Sequence, residues 1–179
     1  VEDTHIVAKL FAGLLAASEE ALEKAQSELQ SRYGPIDLRS AVFPFHYTSY
    51  YEEEMGNKIV RQFVSFENLF CPADLRKIKS DTIAIEKTMS AAGKRTANLD
   101  PGYLNLSSVV LATTKDASYR VYLGDGIYAQ PTLSYRKGTF APFDWTYPDY
   151  REEESLRFFG EVRERLKEQL RARKASEQA

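Results

Sequence analysis

Ile6-Val7-Ala8-Lys9-Leu10-Phe11-Ala12-Gly13-Leu14-Leu15 is a short apolar run rich in strand formers, and it reads as a buried strand. Ser18 follows as an N-cap, with Glu19 and Glu20 in the first turn, where the helix dipole favours negative charge. Leu22, Ala25, Leu29 and Tyr33 then recur at helical spacing until Gly34-Pro35 stops the run. That spacing predicts a helix of about four turns. Ser40 to Phe45 reads as the next strand, with Pro44 marking an edge or a bend. Ile59 to Phe70 reads as a third, and apolar residues on both of its faces give it a central place in a sheet. Pro72 suits a first helical position, and Leu75, Ile78, Thr82, Ile85 and Met89 form the apolar face of a second helix that Gly93 ends. Arg76, Lys77, Lys79, Asp81 and Lys87 fall mostly outside that face. Lys94 to Leu99 reads as a further short strand. The order strand, helix, strand, strand, helix, strand predicts an α+β fold, a ferredoxin-like split βαβ sandwich with its helices on one sheet face.

Beyond this unit the pattern is less regular. Leu104 to Thr114 is apolar for long enough to be expected as a buried helix, although Val109-Val110 also suits a strand. Tyr119 to Leu123 and Ile127 to Ala129 flank Gly124-Asp125-Gly126, a hairpin turn signal, and a second hairpin is expected at Lys137-Gly138. Pro142 to Tyr150 is an irregular aromatic segment. A last helix is expected from about Glu152, with Leu156, Phe159, Val162, Leu166 and Leu170 on one stripe, and residues 171–179 as a frayed polar tail. Residues 1–179 therefore read as one α+β domain, extended by C-terminal β-hairpins and a terminal helix.

Composition narrows the function classes. The 179 residues carry 43% apolar side chains, enough for one substantial core and short for two. Lys plus Arg is 24 against Asp plus Glu at 26, a formal charge of −2, so no global basic field drives nucleic-acid binding. The single cysteine, Cys71, excludes an intrachain disulfide framework and a cysteine-rich zinc site and suits a reducing compartment. Cys71 precedes a helix N-terminus but lacks a nucleophile's partners, so it is expected in core or boundary packing. No apolar run approaches a membrane span and no signal-peptide core is visible, so the expectation is a cytoplasmic protein without membrane partners. The chain starts with Val rather than Met, which reads as a processed or trimmed start.

Five segments in order carry a resemblance. They are Phe43-Pro44-Phe45 with Thr48, Tyr50-Tyr51 and Glu54-Met55-Gly56; Asn98 to Leu104; Leu111 to Asp116; Gly126 to Ala129; and Thr146 to Tyr150. Over nearly the whole chain these resemble a bacterial family known as domain of unknown function 4416. The resemblance implies no activity, because that family is uncharacterised. The sequence departs from the family pattern at Tyr119 and Gln130, where the resemblance leads one to expect His and Glu. If either expected residue is a general base in the family, this chain lacks it, which argues against catalysis at those two positions.

Candidate chemistry gathers in Gly- and Pro-bearing segments. Asp100-Pro101-Gly102 reads as a turn that presents the Asp100 carboxylate to a ligand beside Tyr103; a carboxylate that only caps its own backbone is the plainer reading. Thr113-Thr114-Lys115-Asp116 faintly resembles a guanine-reading motif of GTPases, but the spacing differs and no phosphate loop accompanies it. Lys115 with Arg120 and Arg95 can still recognise a phosphate or carboxylate, or form ordinary surface ion pairs. His46-Tyr47-Thr48-Ser49-Tyr50-Tyr51 offers flat stacking surfaces with hydroxyl handles. His46 is the sole internal histidine, so a multi-histidine metal site is excluded, and as a lone imidazole it serves more often in structure than in catalysis. Glu52-Glu53-Glu54 reads as a solvated helix start; with Asp100 it can surround magnesium, but nothing in the spacing compels this. Trp145 with Tyr147-Pro148-Asp149-Tyr150 reads as an anchor for the last helix, with a lid over a pocket as the alternative.

The candidate ligand site is thus Asp100, Tyr103, Lys115, Asp116, Arg120, Arg95, Tyr50, Tyr51 and His46, with no metal and no identifiable cofactor. The expected partner is a small anionic ligand, phosphorylated or nucleotide-like, in a polar, tyrosine-walled cleft. An interaction or scaffold module, self-associating or not, and an RNA-associated module are the alternatives; the acidic balance weakens the latter.

Overall fold

β1 (Ala8–Ala16) is buried along its entire length and forms the spine of the sheet. The computed structural model describes residues 6–178; Val1–His5, the start read as processed, and Ala179, the end of the tail read as frayed, lie outside it. α1 (Glu19–Tyr33) begins as its sequence predicts, with Ser18 Oγ accepting a hydrogen bond from the Ala21 N–H at 3.1 Å. β2 (Ile36–Arg39) and β3 (Phe43–Pro44) replace the single strand expected over Ser40 to Phe45. Ser40, between them, accepts a hydrogen bond from the Phe63 N–H on its hydroxyl and donates its own N–H to the Phe63 carbonyl, so its side chain takes a place in the backbone ladder.

The remaining elements are α2 (Glu52–Met55), β4 (Val60–Phe70), α3 (Leu75–Thr88), β5 (Ala97–Leu104), β6 (Ser108–Thr113), β7 (Val121–Gly124), β8 (Ile127–Arg136), β9 (Thr139–Pro142) and α4 (Glu153–Glu177). Three of these correct the sequence expectations. Residues 104–114 are not a helix: the Asn105 carboxamide oxygen accepts from the N–H groups of Ser107 and Ser108 at 2.8 Å each, and this turn reverses the chain into β6. Asp100-Pro101-Gly102 is not a turn but lies inside β5, opposite Gly13, Ala12 and Phe11. Cys71 is exposed rather than packed.

The architecture is mixed α and β: a large antiparallel sheet with four helices among the described residues. The strand order is β2-β4-β1-β5-β6-β8-β7, with β3 against β4 and β9 against β8. Successive residues of β1 point to opposite faces, so the strand serves two cores at once. Leu10, Ala12, Leu14 and Ala16 pack under α1 and α3 with Leu22, Leu29, Ile78 and Ile85. Phe11 packs with Phe63, Phe158, Phe159 and Val162 under α4 on the opposite face. Phe11, Phe63 and Phe159 are fully buried, and each contributes about 1.5–3 kcal/mol by leaving water. Lys9 is buried among these strands, with Nζ donating to Asp37 Oδ2 at 2.5 Å and to the Phe66 carbonyl at 2.6 Å. Burial pushes its pKa down despite the stabilising pull of Asp37.

Candidate functional site

The β5–β6 ladder covers only Gly102–Leu104 against Val109–Leu111. Beyond it β5 continues to Ala97 paired with β1, and β6 continues to Thr113 paired with β8. Pro101 has no N–H to offer a neighbouring strand, and the ladder ends beside it. A cleft of about 610 Å³ occupies the place where the two strands part. That volume suits a small molecule.

Four groups of residues build its walls. Arg61 from β4 and Asn98 and Asp100 from β5 line the sheet side; Lys79, Ile83 and Glu86 come from α3. Leu111 to Lys115 lines a third side, and the aromatic loop Tyr47 to Tyr51 and the segment Tyr147 to Tyr150 complete it. Five of the nine residues expected from the sequence therefore come together: Asp100, Lys115, Arg95, Tyr50 and Tyr51. His46, Asp116, Tyr103 and Arg120 do not line it. His46 and Asp116 are exposed, and Tyr103 packs against Leu75, Val110 and Ile127. Arg120 stands behind the wall, donating to the Lys115 carbonyl at 2.6 Å, to Tyr147 Oη at 3.0 Å and to Gln130 Oε1 at 2.8 Å. It anchors the Lys115 backbone and the Tyr147 hydroxyl and does not itself line the cleft.

Charge is arranged in pairs. Arg61 is buried and donates through Nε to Asp149 Oδ2 at 2.7 Å, and through Nη2 to the same oxygen. Burial works against the guanidinium, but Asp149, Tyr150 and Asp100 outweigh it and hold its pKa above the ordinary value. Asp100 is held by Lys79 Nζ at 3.4 Å and by Asn98 Nδ2 at 2.8 Å, with Arg61 Nη1 at 3.8 Å. Burial raises the Glu86 carboxyl pKa, and its Oε1 accepts from the Leu99 N–H at 2.7 Å. Arg95 donates to Glu54 at 2.5 Å, which lowers the Glu54 pKa, and lies over the Tyr51 ring at 5.8 Å. Lys115 sits 4.6 Å from the centre of the Tyr50 ring and, among the described residues, has no carboxylate within salt-bridge range. Burial pushes the Tyr51, Tyr147 and Tyr150 hydroxyls up, so they are neutral donors at neutral pH.

Sequence reading missed Arg61, Lys79, Glu86 and Asn98. Lys79 falls outside the apolar face by periodicity, yet it is buried because its long stem carries Nζ to the Leu99 carbonyl at 3.0 Å. Arg61 did leave a signal: a charge within a strand that is apolar on both faces needs a buried partner. The segment Tyr147 to Tyr150 anchors the last helix as expected, with Tyr150 packed on Phe63 and Phe159, and it also lines the cleft. Tyr119 and Gln130, the positions expected to differ from the family, take structural contacts. Tyr119 stacks on Trp145 at 4.9 Å, and Gln130 accepts from Arg120 while its Nε2 finds no partner. Among the described residues no group of three or more His, Cys, Asp or Glu side chains is placed to hold a metal ion. Among the described residues no helix is long and apolar enough to cross a membrane.

Fold and site define a small α+β protein whose antiparallel sheet parts around a cleft of mixed charge with tyrosine walls. Over residues 6–166 its sequence matches the family described as Domain of unknown function (DUF4416), and the chain belongs to that family. No curated protein and no solved structure matches it.

Proposed function

We propose that this protein binds a small, ring-bearing organic anion, phosphorylated or nucleotide-like, in the cleft between β5 and β6. The observation that carries this reading is a lysine at the cleft with no carboxylate partner among the described residues. Arg61, Lys79 and Arg95 also line the cleft but are matched by Asp149, Asp100 and Glu54, which leaves Lys115 as the cation not already paired. Lys115, without a carboxylate partner and held over Tyr50, is the group an incoming anion neutralises first. Tyr50, Tyr51 and Tyr147 supply faces for a ring and hydroxyls for its substituents. The order β2-β4-β1-β5 with α1 and α3 on one face supports describing this half as a ferredoxin-like split βαβ unit, which β6 to β9 extend.

Thermal unfolding with nucleoside monophosphates, sugar phosphates and inorganic phosphate tests the reading. A ligand at about a hundred times its Kd stabilises the native state by about 2.7 kcal/mol, a readily measured rise in midpoint. Lys115→Ala should keep its own midpoint, since the side chain is exposed, and lose most of the ligand-induced rise. No rise with any of these compounds at millimolar concentration removes the proposal.

One observation favours the interaction reading instead. Val121 and Tyr122 on β7, the end strand of the sheet, are 60% and 61% exposed, and the segment Val121-Tyr122-Leu123 carries no charge to discourage strand pairing. A chain that stays monomeric by light scattering at high concentration removes that reading.

A further inference from the structure

Two buried polar atoms at the cleft's sheet side have no hydrogen-bond partner among the described residues: Arg61 Nη1 and Tyr150 Oη. Such groups are rare in folded proteins and usually answer to a ligand or a water. Neither residue lacks anchorage otherwise. Arg61 spends Nε and Nη2 on one oxygen of Asp149, which fixes the guanidinium and leaves Nη1 turned away from that contact. Tyr150 is locked by its ring against Phe63 at 4.9 Å and Phe159 at 5.7 Å, so its hydroxyl stays where the aromatic core puts it.

Gly13 shows that the two orphaned atoms share one place. A β-carbon on this glycine would stand 2.9 Å from Arg61 Nη1 and 2.9 Å from Tyr150 Oη. Gly13 lies in regular paired strand, opposite Phe63 and Asp100, and does not have a positive φ. Its missing side chain is therefore a matter of space, not of backbone conformation.

We propose that Arg61 Nη1 and Tyr150 Oη, over Gly13, form an oxyanion seat that receives a terminal phosphate or carboxylate oxygen of the ligand. This assignment rests on the anion-binding reading of the cleft and adds where the anionic end goes. Both groups donate hydrogen bonds, and one is cationic, so an oxygen bearing negative charge satisfies both at once. A cationic group leaves Arg61 Nη1 unsatisfied, and an apolar group satisfies neither. Asp100, 27% exposed and 3.8 Å from Nη1, marks the way in, and its own charge is already met by Lys79 and Asn98.

The test is calorimetric titration of the wild-type chain and of Tyr150→Phe with inorganic phosphate, and separately with acetate, alongside thermal unfolding of each protein alone. The Phe variant deletes only a hydroxyl that has no protein partner, so its unfolding midpoint should equal or exceed that of the wild type. Its affinity for the favoured oxyanion should fall about tenfold, about 1.4 kcal/mol. Gly13→Ala should weaken the same oxyanion further, because its β-carbon would push Arg61 Nη1 and Tyr150 Oη from their places. The phosphate and acetate arms decide which oxyanion the seat prefers. Equal affinity in wild type and Tyr150→Phe overturns the seat and leaves the cleft reading standing, with a buried water between the two groups. Absence of binding by the wild-type chain to either anion overturns the seat, while the cleft reading falls only if nucleoside monophosphates and sugar phosphates also leave the unfolding midpoint unchanged.

Discussion

Glu86 shows what one buried carboxyl does to the pH response of the molecule. Burial lifts its pKa from 4.5 against the opposing pull of Lys79 and of the Leu99 N–H. The folded chain then holds this proton more tightly than the unfolded chain does. Stability linked to the group is complete below the unfolded pKa and declines as pH rises through the folded one. Glu86→Gln keeps an acceptor for the Leu99 N–H, which now bonds at 2.7 Å, and removes the ionisation. Urea midpoints should therefore separate in favour of the variant as pH rises above the ordinary carboxylate range, and parallel curves would show that Glu86 titrates alike in both states. Little of this was legible beforehand. Helical periodicity reports which residues face the core, but not which long polar stems reach a carbonyl across a strand end, as Lys79 does to Leu99.

β5 illustrates how an element's neighbours override its local signals. Asp-Pro-Gly is ordinary turn chemistry, yet here β1 pairs with all of Ala97 to Leu104 and holds the tripeptide extended. Gly102 is present because a side chain has no room: a β-carbon would stand 2.5 Å from the Val110 carbonyl oxygen and 2.5 Å from Phe11 Cζ. Gly102→Ala should cost about 1–3 kcal/mol through forced shifts, because the oxygen belongs to the backbone of the paired strand. In a chain of this length each kcal/mol lowers the thermal midpoint by about 2–4 °C, so calorimetry reads the effect, and an unchanged midpoint would mean that β6 yields freely. β1, α1, β4 and the two C-terminal hairpins were legible because their patterns are local and unambiguous. Residues 104–114 were not, since a continuous apolar run has no period, and only the turn at Asn105 divides it.

At the scale of the molecule, the two cores meet in β1, which gives Leu10 and Leu14 to one and Phe11 to the other. Neither face of the sheet can open without exposing the other, so one cooperative transition is expected. Trp145, whose Nε1 donates to the Pro131 carbonyl at 2.7 Å, reports from the β8 side, while far-UV circular dichroism reports on all helices and strands. The two signals should share one urea midpoint, and distinct midpoints would divide the chain into two folding units. The amino-acid sequence alone determined the mixed α and β class, most element positions and the family, because periodicity, caps and turn residues act over a few neighbours. Only tertiary structure decided the cleft: where β5 parts from β6, that Arg61 and Tyr150 converge over Gly13, and that Arg120 stands behind Lys115. Gly13, Arg61 and Tyr150 stand dozens of positions apart in the chain, and no local pattern encodes a distance across a sheet.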